Sequence, residues 1–397
     1  MTVFGRLLST PEAVDAFGDE ALLAAMLRFE AALAKAQAQA GLIPAAAAQS
    51  IARACGPGTI AAAFGMAALE RDARSAGTIV IPLVKALRDA VSRSDALAAQ
   101  WVHFGSTSQD VIDTTMALAT RRVLDLVEAD VRAAVGGLLG LARSHAATPM
   151  LARTLLQPAS VTSFGLKCAR WALPLARGLA RLRELSLGAL CVQLGGAAGT
   201  RAQLGPHADR IVAALAAELS LAVPETVWHT ARDEWIALGC ELGVLAGSLG
   251  KTASDLALMG QFEVGELTEP AGSSSAMPHK RNPLGSMIAR TAALRAPGRV
   301  AALLAAMPQE HERALGGWQA EGAEWAELLQ LVHGAARAMA TVTTGLSVDA
   351  ARMLRNIEAA RSALPADAAA EWFDPETASA LAPDVERLCA RVEALLA

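Results

Sequence analysis

Apolar residues recur along this chain at spacings of three and four over long stretches, the mark of one buried helix face after another. Within 20–41, Leu22, Met26, Phe29 and Leu33 share such a face, and Gly41 follows as a residue suited to end the helix. Comparable runs occupy 113–145, 163–190, 207–221, 231–260, 284–307 and 318–346. Several are apolar around much of their circumference, so they must bury more than one face, within a bundle or against other chains. β-Branched alternation is scarce, and alanine and leucine dominate, with only 17 prolines in the chain. The pattern predicts an all-α fold of long helices.

Three polar, Gly/Ser-bearing stretches interrupt it: His103–Asp113, Arg153–Ser163 and Ala271–Pro283. Polar segments held between packed helices are where function concentrates. The spacing suggests an N-terminal helical domain over 1–100, a central long-helix domain over 101–345 and a short C-terminal helical piece over 346–397, with breaks near Pro365 and Pro375.

Composition narrows the function classes. With 53% hydrophobic and 19% charged residues, 397 residues can build a large core, and disorder is excluded. The net charge of -4, without a Lys/Arg-rich run, offers nothing to neutralise a phosphate backbone, so no nucleic-acid partner is expected. Cys55, Cys168, Cys191, Cys240 and Cys389 are widely spaced and form no CxxC, which suits buried thiols in a reducing compartment and not a metal site. The opening MTVFGRLLSTPEAVDAF lacks a charged segment followed by an apolar one and does not read as a signal peptide. The apolar run Ile236–Leu249 is broken by Glu241 and falls short of the ~20 residues that span a bilayer. A cytoplasmic protein with no membrane partner is the expectation.

Ala271–Pro283, AGSSSAMPHKRNP, joins three serines to a lysine and an asparagine just ahead of an apolar helical run. Amide donors of a Ser-rich loop, a helix N-terminus and a lysine together can stabilise an anion or a developing oxyanion. A serine in that setting can act as a base, and a loop that closes would exclude competing water. The bland alternative is a solvated linker before a helix.

The string resembles GSSxMPxKxN, the signature of the fumarase/aspartase superfamily, at Ser274, Ser275, Met277, Pro278, Lys280 and Asn282, with Ser273 where the signature has glycine. The resemblance implies Ser274 as the general base, and Lys280 and Asn282 as ligands of substrate carboxylates; Ser275 and Met277 join the expected substrate contacts. Trp101–Thr114, WVHFGSTSQDVIDT, resembles that family's HxGxTSxDxxDT region. Hydroxyls clustered at a helix start suit carboxylate recognition, which falls to Ser106, Thr107 and Ser108, with helix capping as the alternative. Asp110 and Asp113 read as structural, and His103 as a buried, hydrogen-bonded residue.

Ala152–Trp171 resembles the region that reads GRTHxQxA in adenylosuccinate lyases, which adds Arg153, Thr154 and Gln157 to the expected substrate contacts. The histidine after Arg-Thr is Leu155 here, and a later one is Pro158. An amine leaving group needs such an acid, whereas a carboxylate, with a pKa near ~4, departs as a stable anion. Lactone formation and opening are reactions of that kind. QLGGAAGT (Gln193–Thr200), WHTARDEW (Trp228–Trp235), EHERALGGWQAEGAEW (Glu310–Trp325) and IPLVKAL (Ile81–Leu87) resemble stretches of the carboxymuconate cycloisomerase branch. Within them Gly195, Gly196 and Gly199 read as turn or close-packing residues, and Trp318 and Trp325 as core. Arg313 suits a carboxylate fork, with a surface salt bridge as its alternative. His229 and His311 are each either structural or proton donors.

The resemblance implies a tetramer of long helices whose active sites are shared between chains. It also implies a small polycarboxylate substrate, no metal or organic cofactor, and reversible lactonisation of carboxymuconate. The alternatives are a lyase acting on adenylosuccinate or another substituted succinate, and a non-catalytic relative like the crystallins derived from this superfamily.

Overall fold

The computed structural model describes residues 3–56, 66–270, 277 and 280–397. The helices are α1 (Val3–Arg6), α2 (Pro11–Ala16), α3 (Asp19–Gln39), α4 (Ala45–Ala54), α5 (Met66–Ala76), α6 (Val80–Ser94) and α7 (Ser108–Ser144). After a hairpin of β1 (Pro149–Thr154) and β2 (Gln157–Ser163) come α8 (Phe164–Ala189), α9 (Ala208–Leu219) and α10 (Asp233–Met259). Strand β3 (Leu267–Thr268), α11 (Leu284–Ala306), α12 (Gly317–Gly345), β4 (Ser347–Val348), α13 (Ala350–Ser362), α14 (Ala366–Trp372), α15 (Thr377–Ala380) and α16 (Ala382–Leu396) complete the order. The fold is all-α, and each long helix expected from apolar spacing is present.

Helix α7, with 37 residues, is about 55 Å long at 1.5 Å per residue. Its Val123, Val127, Val131, Val135 and Leu138 make a continuous buried stripe facing α8 and α12. Helix α12 packs along α7, α11 lies against both α12 and α10, α10 also packs on α8, and α16 lies along α8. At the α10–α11 contact a Cβ on Gly250 would stand 2.2 Å from the Ala293 Cβ, so a larger residue there would force the helices apart. Trp235 and Trp325 stack at 4.0 Å between ring centres inside this core, and the Trp325 indole donates to Thr120 Oγ1 at 2.7 Å.

A second core gathers α3, α4 and α6 around Phe29, Leu33, Ile51, Leu83 and Leu87. It also takes Val192, Leu194, Leu204, Ile211 and Leu215, so residues well beyond position 101 complete the N-terminal cluster. A small third cluster sets Leu151 and Val161 of the hairpin against Ile357, Phe373 and Ala378.

The N-terminal segment is tied to the two longest helices through a buried histidine. Thr10 Oγ1 meets His333 Nδ1 at 2.7 Å, and His333 Nε2 meets Asp130 Oδ2 at 2.9 Å. Thr10 Oγ1 also accepts from Ala13 N at 3.3 Å, which leaves its own hydrogen for His333 Nδ1 and puts the ring proton on Nε2, toward Asp130. Burial holds the His333 pKa below the usual imidazole value in spite of the nearby Asp130.

The stretch Arg153–Ser163, which reads in sequence as a polar interruption, is instead the body of the β1–β2 hairpin. Its inner residues Met150, Leu151 and Val161 are buried, and the register slips between Ala152 and Arg153, a bulge. The two-residue turn is Leu155–Leu156, with φ of 50° and 65°. Such turns favour Asn or Gly at these positions, and the absence of either hid the hairpin from the sequence. Among the described residues no helix is long and apolar enough to cross a membrane.

Candidate active site

Three loops meet at the start of α7. The first carries Ser106 and Thr107 into the helix, the second is Leu194–Arg201, and the third is the 308–316 loop before α12. Asp110, fully buried in the first turn, joins the first two. Its Oδ1 accepts from Gly195 N at 2.8 Å and His229 Nε2 at 2.7 Å, and its Oδ2 from Gly196 N at 3.0 Å and Thr107 N at 3.0 Å. Glycine is required on the second loop: Gly196 has φ 70°, and a Cβ on Gly195 would stand 2.6 Å from His229 Cε1. His229 is 2% exposed and engaged with Asp110, a structural placement.

With the Thr107 amide committed to Asp110, the Thr107 hydroxyl accepts from Arg313 Nη1 at 3.2 Å. Arg313 Nη2 donates to Gly196 O at 3.2 Å and Ala197 O at 2.9 Å. All three acceptors are neutral, so among the described residues this guanidinium carries its charge without a carboxylate partner. An arginine so placed, beside a helix N-terminus, is chemically a seat for a carboxylate. Ser106 Oγ lies 3.4 Å from Asp110 Oδ2, and Ser108 is the first residue of α7.

Behind this corner, Arg232 is fully buried between two carboxylates, donating to Asp113 Oδ2 at 3.0 Å and Glu321 Oε2 at 2.6 Å. Burial pushes the Glu321 carboxyl upward against the pull of Arg232. Trp318 Nε1 donates to Asp113 Oδ1 at 2.9 Å, and Gln309 Nε2 to Glu321 Oε1 at 2.6 Å, so this network pins the Arg313 loop at both ends. A cavity of about 190 Å³ opens beside it, walled by Met116, Trp235, Trp318 and Trp325. His103 meets Glu30 Oε1 at 2.6 Å; burial disfavours the charged ring, but Glu30 outweighs it, and the pKa lies above the usual value.

The other sequence-predicted residues sit elsewhere on the single chain. Arg153 is held by Glu266, through Nη2 to Oε1 at 2.8 Å and Nη1 to Oε2 at 3.2 Å. Thr154 and Gln157 pair across the hairpin tip and are exposed, with Leu155 97% exposed between them. Met277 and Lys280 are exposed ahead of α11, Lys280 N donating to Met277 O at 3.0 Å, and Asn282 O accepts from Leu284 N at 2.9 Å. Ser274 and Ser275, and with them most of the expected closing loop, lie outside the described residues. Among the described residues no group of three or more His, Cys, Asp and Glu is placed to hold a metal ion.

Sequence reasoning singled out the α7 start and Arg313, which the fold brings within hydrogen-bonding distance of each other. It did not find the Asp110–His229 pairing or the Arg232 pairs, because those partners are 119 residues or 89 residues apart in the chain.

A family model described as lyase matches residues 6–298, which is more than half of the chain. The chain belongs to the fumarase/aspartase superfamily. It is an enzyme of that lyase group. It is 46% identical over 366 residues to a 3-carboxy-cis,cis-muconate cycloisomerase of Bradyrhizobium diazoefficiens, covering 91% of this chain and 80% of that one. A nitrosuccinate lyase of Streptomyces davaonensis is 43% identical over 355 residues, covering 86% of this chain and 74% of that one. The crystal structure of the 3-carboxy-cis,cis-muconate lactonizing enzyme from Pseudomonas putida superposes with a TM-score of 0.90 at 37% identity, covering 100% of both chains.

Proposed function

We propose that this enzyme is a 3-carboxy-cis,cis-muconate cycloisomerase, interconverting its linear tricarboxylate substrate and 4-carboxymuconolactone. The observation that carries the reading is the Arg313–Thr107 corner, a guanidinium with three neutral partners at a helix N-terminus, suited to one carboxylate of a polyanion. The cycloisomerase relative and the lactonizing-enzyme structure support the same substrate. Leu155 in place of a histidine fits a carboxylate leaving group, which needs no acid.

In the lactonising direction one carboxylate oxygen adds to a double-bond carbon, and the neighbouring carbon takes a proton. In reverse, Ser274 removes that proton, the C–O bond breaks, and the ring oxygen leaves with the bonding pair as a carboxylate. Lys280, Asn282 and Ser275 hold the carboxylate that gathers charge next to the proton-losing carbon, with Met277 against the substrate. Ser106, Thr107, Ser108 and Arg313 hold a second carboxylate. Thr154 and Gln157 reach the substrate from a neighbouring chain. Four chains form the working unit. The exposed hairpin tip at Leu155 and Leu156 and the exposed Leu284, Met287 and Leu294 of α11 support an assembly that covers them.

The test is direct: supply purified protein with carboxymuconate, adenylosuccinate and nitrosuccinate in turn, and follow ultraviolet absorbance. Loss of the diene band with carboxymuconate alone supports the reading. Turnover of nitrosuccinate in preference to the others would replace it with the lyase activity of that relative, and inertness to all three would overturn it. Under the same reading, Ser274→Ala lowers kcat by at least ~100-fold while leaving the fold intact; full activity in that variant removes the assigned base.

A further inference from the structure

We infer that Arg153 does not meet substrate but works with Glu266 and Asn356 as a positioning clamp, which fixes the β1–β2 hairpin against the strand leading to the signature stretch. The inference rests on the proposed function only in taking the hairpin tip, Thr154 and Gln157, as a substrate contact.

Glu266 is fully buried. Both its oxygens receive the Arg153 fork, at 2.8 and 3.2 Å, and Oε1 also accepts from Asn356 Nδ2 at 2.7 Å. Arg153 Nη1 additionally donates to Leu151 O at 3.3 Å. Both terminal nitrogens of this guanidinium are therefore spent within the chain, unlike those of Arg313, which meet no anion among the described residues. The bulge at Ala152/Arg153 is the kind of irregularity that re-aims a side chain, here onto Glu266.

The clamp has a second half. Asn356 Nδ2 also holds Val264 O at 2.9 Å, Arg352 holds Glu263 O at 2.8 Å and Val264 O at 3.0 Å, and Asp349 N donates to Glu266 O at 3.0 Å. Helix α13 thereby secures the segment that enters β3. Just beyond β3, Glu269 accepts from Ser286 N at 3.2 Å and from the Ser286 hydroxyl, which ties the two ends of the signature stretch together. Hairpin, β3 and the root of α11 thus form one hydrogen-bonded frame. The Leu155–Leu156 turn needs such a frame, because residues with side chains keep a left-handed conformation only where their surroundings impose it.

The experiment compares Arg153→Ala, Arg153→Lys, Glu266→Gln and the Arg153→Ala/Glu266→Gln double variant, by amide hydrogen exchange over residues 149–163 without substrate and by kcat and KM on carboxymuconate. Losing Arg153 leaves the buried Glu266 charge unmatched, losing the Glu266 charge leaves the half-buried guanidinium without its anion, and the clamp is broken once however many members are removed. Each alanine or glutamine variant is expected to raise hairpin exchange about tenfold or more. It should lower kcat roughly tenfold to a hundredfold, with KM changed less than about threefold, and the double variant should be no worse than the poorer single. Lysine at 153, which keeps the charge but not the fork, should show the same pattern in smaller measure. A KM rise in the Arg153 variants far above that of Glu266→Gln, multiplying effects in the double, or hairpin exchange at wild-type rates would overturn the clamp. A protein whose hairpin loosens as expected but which ignores carboxymuconate would keep the clamp and sink the substrate assignment instead.

Discussion

Asp110 shows how one side chain can hold together the corner where we place a substrate carboxylate. Its two oxygens take the amides of Gly195, Gly196 and Thr107 and the His229 ring, so the first turn of α7 and the second loop cannot move independently. The consequence lies one step outward: Gly196 O and the Thr107 hydroxyl are the atoms that receive Arg313. Asp110→Asn removes the charge those donors face and turns an amide N–H toward at least one of them. A loss of about 3–5 kcal/mol in urea unfolding is expected, together with weaker binding of a tricarboxylate inhibitor. A loss under ~1 kcal/mol would show the hub to be dispensable. The sequence marked the stretch around Thr107 by motif, and read Asp110 as structural, but backbone donors from residues 195 and 196 leave no trace in residue type. Arg153 illustrates the reverse limit: its place in a motif suggested a substrate contact, and only the fold reveals that Glu266 already occupies it.

At the scale of elements, the helices were legible because each buries an apolar stripe at regular spacing, as in Val123, Val127 and Val131 of α7. The hairpin was not, since it packs against Ile357 and Phe373, about two hundred residues further along the chain. The tether of α2 to α7 and α12 gives an element-level pH dependence. His333 faces Thr10 and Glu12 from the α2 segment, Asp130 from α7 and Arg337 from its own helix. Its folded pKa is lowered, so the unfolded chain binds this proton first as pH falls. Stability from this site is therefore intact above about pH 6.5, the unfolded value, and is lost as pH drops through the folded one. His103 has the opposite sign: its raised pKa gives stability that is full below the unfolded value and fades as pH rises through the folded one. Melting temperature measured from pH 5 to pH 8 should fall less steeply on the acid side for His333→Gln than for wild type, and decline less on the alkaline side for His103→Gln. Parallel curves for all three proteins would remove both assignments.

For the whole molecule, the outer face of α11 is the feature a single chain leaves unexplained. Leu284, Met287, Leu294, Gly298 and Ala301 fall within one stripe of that helix and are exposed, Leu294 by 81%. A stripe of that composition is expected at a helix–helix contact between chains. Light scattering should find four chains in the wild-type particle and smaller species for Leu294→Glu, with activity lost in step; an active monomer would contradict sites shared between subunits. The architecture carries one more implication, for the order in which the molecule comes together. Thr10 and His333 are 323 positions apart, and Asp130, which the His333 ring meets on its other side, lies between them in the chain. On the ribosome, Thr10 therefore emerges long before its ring partner exists, and the long middle helices must assemble around a gap. Synthesis beyond residue 333 closes that gap.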